Sequence, residues 1–101
     1  MDLVRWQVSL GPRAPGLPGH RKLREELAGK LQAFADRLAV QEFPVPLPAG
    51  RQACANLSGL FRSRRPIRPP VLVGTHFDTR LIADREPDPR LRGEPIPGAN
   101  D

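Results

Sequence analysis

Val71-Leu72-Val73-Gly74-Thr75-His76-Phe77-Asp78 is the stretch on which the fold of this 101-residue chain turns. Its first five positions are almost continuously apolar and β-branched, the pattern of a central strand covered on both faces. A strand of that kind needs layers above and below it, so the chain is expected to be α/β. Upstream, Ala53–Phe61 reads as one strand and Val40–Val45 as another, with Gln41, Phe43 and Val45 on one side. Gly50-Arg51 supplies the expected turn of an antiparallel pair. Pro44-Val45-Pro46-Leu47-Pro48 reads as a breaker run that ends the first of these strands. Further upstream the period changes. Leu23, Leu27, Leu31, Phe34 and Leu38 fall on one face of a helix spanning about His20–Leu38, with Ala28 and Ala35 widening the stripe. Gly11–Gly19, rich in Gly and Pro, precedes it as irregular chain.

Composition narrows the function classes. Sixteen Lys and Arg face eleven Asp and Glu, a net charge of +5. The densest basic group, Arg62, Arg64, Arg65 and Arg68, is broken by Pro66 and followed by Pro69-Pro70. It reads as a solvated loop. No aromatic residues are interleaved to stack bases, so no nucleic-acid partner is expected. The single cysteine, Cys54, excludes an internal disulfide and a multi-Cys zinc site, and it is expected to be a small buried apolar residue. No apolar run reaches the ~18 residues of a transmembrane helix. Met1–His20 lacks the charged start and apolar centre of a signal peptide. Thirteen prolines, well above the ~5% average, mark a loop-rich chain.

Chemistry is expected beyond the strand end. In open α/β sheets ligands bind past the carboxyl ends of strands. His76 and Asp78 stand at that end, and Asp78–Asp101 follows with no periodicity of helix or strand, a length usually functional or disordered. An imidazole and a carboxylate two residues apart can fix the histidine tautomer and free the other nitrogen for a metal or a proton. Asp84, Asp88 and Asp101 add oxygen donors. From the residues alone, a metal-dependent site and an ordinary solvated loop both remain open.

Three pieces taken together resemble a known family. They are Val71–Arg80, Ala83–Pro89, and Arg92-Gly93-Glu94-Pro95-Ile96-Pro97-Gly98-Ala99-Asn100-Asp101. Gly11-Pro12-Arg13, Pro15-Gly16, Gly19-His20, Gln41-Glu42-Phe43 and Ala55-Asn56-Leu57 extend the likeness over nearly the whole chain. The family is the zinc aminopeptidases, metallopeptidase family 28, and the likeness is greatest to its bacterial glutaminyl-peptide cyclotransferase-like branch.

The resemblance implies the N-terminal part of a three-layer α/β zinc-exopeptidase fold with a mixed central sheet. It implies peptide or protein N-termini as substrate and one or two zinc ions as cofactor. His76 matches a zinc ligand in the aminopeptidase branch and a residue lining the site in the cyclase branch. Asp78 matches the carboxylate that supports that position. Asp101 matches an aspartate ligand that bridges two zincs in the aminopeptidases and binds the single zinc in the cyclases. The family's catalytic glutamate and its later acidic and histidine ligands have no counterpart before Asp101, and His20 matches none of these roles.

Residues 1–101 therefore read as an incomplete portion of one catalytic domain. The expected parent activity is conversion of an N-terminal glutamine to pyroglutamate, with aminopeptidase hydrolysis as the alternative. The chain alone is expected to be inactive and marginally folded, with Val71–Thr75 unpaired on one flank and stripped of covering helices. Its compartment is not assigned, since members of this family are often exported; nor is its oligomeric state. The reading from a different class is a non-enzymatic Pro- and Arg-rich interaction module.

Overall fold

A computed structural model describes residues 2–65, 69–96 and 98. The described elements are α1 (Asp2–Ser9), α2 (Pro18–Phe34), β1 (Arg37–Leu47) and β2 (Gly50–Leu60). Helices lie beside an antiparallel sheet, so the chain is α/β as expected.

α1 is not foreseen by the sequence reading. Eight residues are too few to hold a helix in water. Tertiary contacts supply the rest: Trp6 Nε1 donates to Glu26 Oε2 at 2.6 Å, and Lys30 Nζ sits 4.7 Å from the centre of the Trp6 ring. Asp2 in the first turn also favours the helix N-terminus.

α2 opens at Pro18, whose missing N–H costs nothing in the first turn. Gly19 follows because the chain passes very close: a Cβ there would lie 2.5 Å from the Pro12 carbonyl oxygen and 2.6 Å from that of Leu10. The buried face begins at Gly19, His20 and Leu23, with Leu27 and Leu31 half-buried beyond. The helix stops at Phe34, four residues before the expected end. Ala35 turns to extended backbone, and the Asp36 N–H donates to the Leu60 carbonyl at 2.8 Å. Leu38 continues the helical spacing, yet it pairs with Gly59 in the sheet. Backbone pairing with β2 outweighs the side-chain period, and Phe34 is left 80% exposed.

The hairpin is longer and tighter than the expected pair. Its register runs from Arg37 opposite Leu60 to Leu47 opposite Gly50, so Pro48-Ala49 is the turn, not Gly50-Arg51. Gly50 closes it at φ 114°, a backbone setting that side chains disfavour. Pro44 and Pro46 do not end β1 either; they pair opposite Ala53 and Arg51. Residues two apart in a strand direct their N–H groups to the same edge. Both missing donors therefore fall on the edge away from β2, where proline is tolerated and where it blunts further pairing. Cys54 is buried as expected, together with Ala55.

The largest departure is Val71–Thr75. It belongs to no described strand, and Val71, Leu72 and Val73 are 87%, 96% and 89% exposed. A β-branched apolar run favours extended backbone, but a strand also needs a hydrogen-bonding neighbour, and the described sheet contains β1 and β2 alone.

The same shortage of cover appears in the whole molecule. Accessible surface is 8333 Å², against roughly 5,700 Å² for a compact chain of 11.2 kDa. The radius of gyration is 16.1 Å, where about 13 Å is ordinary for this length. Among the described residues no helix is long and apolar enough to cross a membrane.

Candidate functional site

The segment that follows Val71–Thr75 is tied back to the first part of the chain. Thr79 is buried, and it meets buried Arg13 through two backbone-directed bonds. The Arg13 N–H donates to Thr79 Oγ1 at 2.8 Å, and the Thr79 N–H donates to the Arg13 carbonyl at 3.3 Å. One step earlier, Phe77 stacks on His20, with ring centroids 5.3 Å apart and planes inclined by 29°. Burial pushes the His20 pKa down, opposed by the Asp78 charge and assisted by Arg24. His20 is thus a buried histidine packed under the turn.

His76 and Asp78 flank Phe77 in the chain. His76 Nδ1 lies 3.1 Å from the Asp78 carbonyl oxygen and 3.4 Å from Asp78 Oδ1. Both side chains are about half exposed or more, at 60% and 49%. The pair is formed locally, as the two-residue spacing allows, and it faces a groove.

That groove has a volume of about 1070 Å³ and separates the hairpin and α2 from the segment Leu72–Leu81. Leu27, Leu31, Phe43 and Leu57 line one wall, and Leu72 and Val73 the other. Its walls are chiefly apolar, with His76 and Asp78 among the polar groups that line it.

The tail departs from a featureless loop. It contains no described helix or strand, but backbone and side-chain bonds tie it to itself. The Ala83 N–H donates to the Glu94 carbonyl at 2.9 Å, and Arg92 Nε donates to the Glu86 carbonyl at 2.7 Å. Asp84 is taken by Arg80 at 2.7 Å, and Asp88 by Arg90 at 2.9 Å. These arginine hydrogen bonds hold both carboxyls below the usual carboxylate range. The two aspartates open as oxygen donors in the sequence are therefore paired within the tail.

Asp101, with Pro97, Ala99 and Asn100 of the terminal motif, lies outside the described residues, as does Arg68 of the basic cluster. Among the described residues, no group of three or more His, Cys, Asp and Glu could hold a metal ion. A catalytic zinc takes about three protein ligands. His76 and Asp78 together offer fewer donors than that among the described residues.

Sequence reading missed the residues that fix this turn. Arg13 and Thr79 both stand inside the quoted motifs, but their spacing assigns neither a role. The available signal was an arginine embedded in a Gly/Pro-rich segment, where a solvated cation has no need of such tight surroundings.

The hairpin, the helix beside it and the anchored turn together define a class, the α/β fold shared by bacterial glutaminyl cyclases and zinc-dependent exopeptidases. Within that class, the chain is similar to the glutaminyl cyclase of Tannerella forsythia, at 32% identity and a TM-score of 0.84. It is equally similar, at 32% and 0.84, to a Zn-dependent exopeptidase from Parabacteroides distasonis. A leucine aminopeptidase precursor from Bacteroides thetaiotaomicron matches at 32% and 0.75. Each match covers 97% of this chain and 33% of the other, so the chain spans about a third of the length of these structures. No family model matches the chain, and no curated protein sequence matches it significantly.

Proposed function

We propose that these 101 residues are the N-terminal, incomplete portion of a catalytic domain in the zinc aminopeptidase and glutaminyl cyclase family. In our reading the complete domain converts an N-terminal glutamine of a peptide or protein to pyroglutamate. The α-amine attacks the γ-carboxamide carbon, a C–N bond forms, and ammonia leaves. The observation that carries this is the match over 97% of the chain, at a TM-score of 0.84, to a glutaminyl cyclase. The exposed Val71–Val73 and the open apolar groove support it, since both are surfaces that the remaining two thirds of such a domain would cover.

In this reading His76 stands at the metal site, as ligand or as lining. Asp78 orients it through Nδ1, and Asp101 supplies a carboxylate ligand. The catalytic acid–base group and the other ligands belong to sequence beyond these residues. Aminopeptidase hydrolysis is the second reading, favoured by the likeness to a leucine aminopeptidase precursor.

The test is a chimera in which residues 1–101 replace the matching third of the Tannerella forsythia cyclase. Zinc-loaded chimera should cyclise glutaminyl peptides, and Asp101→Ala should abolish turnover. Release of amino acids from aminoacyl substrates instead would select the second reading. A folded, zinc-loaded chimera active on neither would sink both.

A further inference from the structure

We propose that Arg13 is a positioning residue that holds together the end of the His76–Thr79 segment and the chain at Gly98, using its backbone for the first and its guanidinium for the second. The meaning of those two segments as parts of one site rests on the reading above; the contacts themselves do not. Arg13 is only 2% exposed, which is unusual for arginine. A guanidinium tolerates such burial only where carbonyls or carboxylates take its donors.

Carbonyls from separate parts of the chain take the two Nη groups. Arg13 Nη2 donates to the Gly98 carbonyl at 2.5 Å, across 85 positions of sequence. Nη1 donates to the Gln7 carbonyl at 2.9 Å and the Gly11 carbonyl at 3.3 Å. Gln7 lies in the last turn of α1, where its carbonyl also accepts the Leu10 N–H at 3.2 Å and the helix end attracts a cation. Meanwhile the Arg13 N–H and carbonyl are both engaged by Thr79, 66 positions away. Thr79 follows Asp78 directly, and Gly98 stands three residues before Asp101.

The geometry selects arginine over lysine. The planar guanidinium presents fixed, diverging donors that reach two carbonyls on different segments at once. An ammonium on a flexible stem meets one of them or the other. The surrounding fold prepares this position: Gly19 lets α2 press against the Leu10 and Pro12 carbonyls just before it in the chain, and His20 packs on Phe77. The irregular Gly11–Gly19 segment thus acts as a bracket between the two motif segments.

Because Arg13 uses backbone and side chain for different segments, the two functions separate experimentally in the 101-residue chain. In Arg13→Met, ¹⁵N relaxation should show Ile96 and Gly98 falling to order parameters below about 0.6, the flexible range. The Arg13-to-Thr79 bonds should persist, with the Thr79 amide still slow to exchange. Thr79→Val should do the reverse. Its loss of one hydrogen bond speeds exchange of the amide at position 13 by roughly tenfold, with Gly98 order unchanged. Arg13→Lys should not restore both Gly98 order and the α1 end. In the unaltered protein the two Arg13 Nη groups should give separate, slowly exchanging signals, a signature of a fixed guanidinium.

Loosening of both segments alike in either variant would overturn the proposal, as would full rescue by lysine. A single averaged Nη signal in the unaltered chain would also overturn it, and that measurement requires no variant to fold. An inactive chimera would overturn the proposed function while leaving this segment-specific pattern intact.

Discussion

Leu23 and Phe34 lie on the same apolar stripe of α2, yet truncating them should have opposite consequences. Leu23 is 0% exposed and is the largest fully buried side chain. Leu-to-Ala changes in such positions cost about 2.7–5 kcal/mol, the lost transfer energy plus the cavity left behind. Phe34 is 80% exposed, so about a fifth of its surface is covered. A phenylalanine buries 150–250 Å² when fully enclosed, so the covered part is about 40 Å², or roughly 1 kcal/mol at 25 cal/mol per Å². Replacing Phe by Ala within a helix recovers roughly 0.5 kcal/mol of propensity, leaving a small net loss. Urea unfolding followed by circular dichroism measures both. We expect Leu23→Ala to abolish a cooperative transition or lower it by at least ~3 kcal/mol, while Phe34→Ala stays within ~0.5 kcal/mol. In the chimera, where the rest of the cyclase can cover Phe34, its truncation should cost ~3 kcal/mol or more. Equal costs for the two variants in the isolated chain would refute the argument, because the stripe would then be packed throughout.

Other consequences follow from the same geometry. Gly19→Ala should destabilise the chain despite its ~1 kcal/mol gain in helix propensity, since the new methyl would lie 2.5 Å from a backbone oxygen; an unchanged urea midpoint would contradict this. Burial lowers the folded-state pKa of His20, so the unfolded chain binds the proton first. Stability should therefore fall as pH drops below about 6.5 and level off below the folded-state value, and His20→Gln should flatten that part of the melting-temperature profile. The 101-residue chain should retain no stoichiometric zinc after dialysis against a chelator, measured by atomic absorption. One zinc per chain would show that its donors close a site unaided.

Local chemistry was legible where local terms decide. The stripe from Leu23 to Leu31 announces α2, and alternation on both sides of a turn announces the hairpin, because each pattern reflects which atoms one element can bury. The His76–Asp78 contact follows from their spacing alone. Boundaries were misread where two local signals competed. Leu38 suited the helix by period but was drawn into β1 by pairing with Gly59, and Pro44 and Pro46 looked like breakers because their edge was unknown. α1 escaped notice because its stabilising partners, Glu26 and Lys30, lie far along the chain.

By itself, the sequence determined a helix, a hairpin, an apolar extended run and a histidine–aspartate pair at its end. It also carried the motif likeness that led to a zinc-dependent family. Only the tertiary structure decided that Val71–Thr75 stands exposed, because a strand is completed by a neighbour's hydrogen bonds and not by its own composition. Only the tertiary structure drew Arg13 against Thr79 and Gly98, since burying a guanidinium depends on carbonyls assembled from distant parts of the chain.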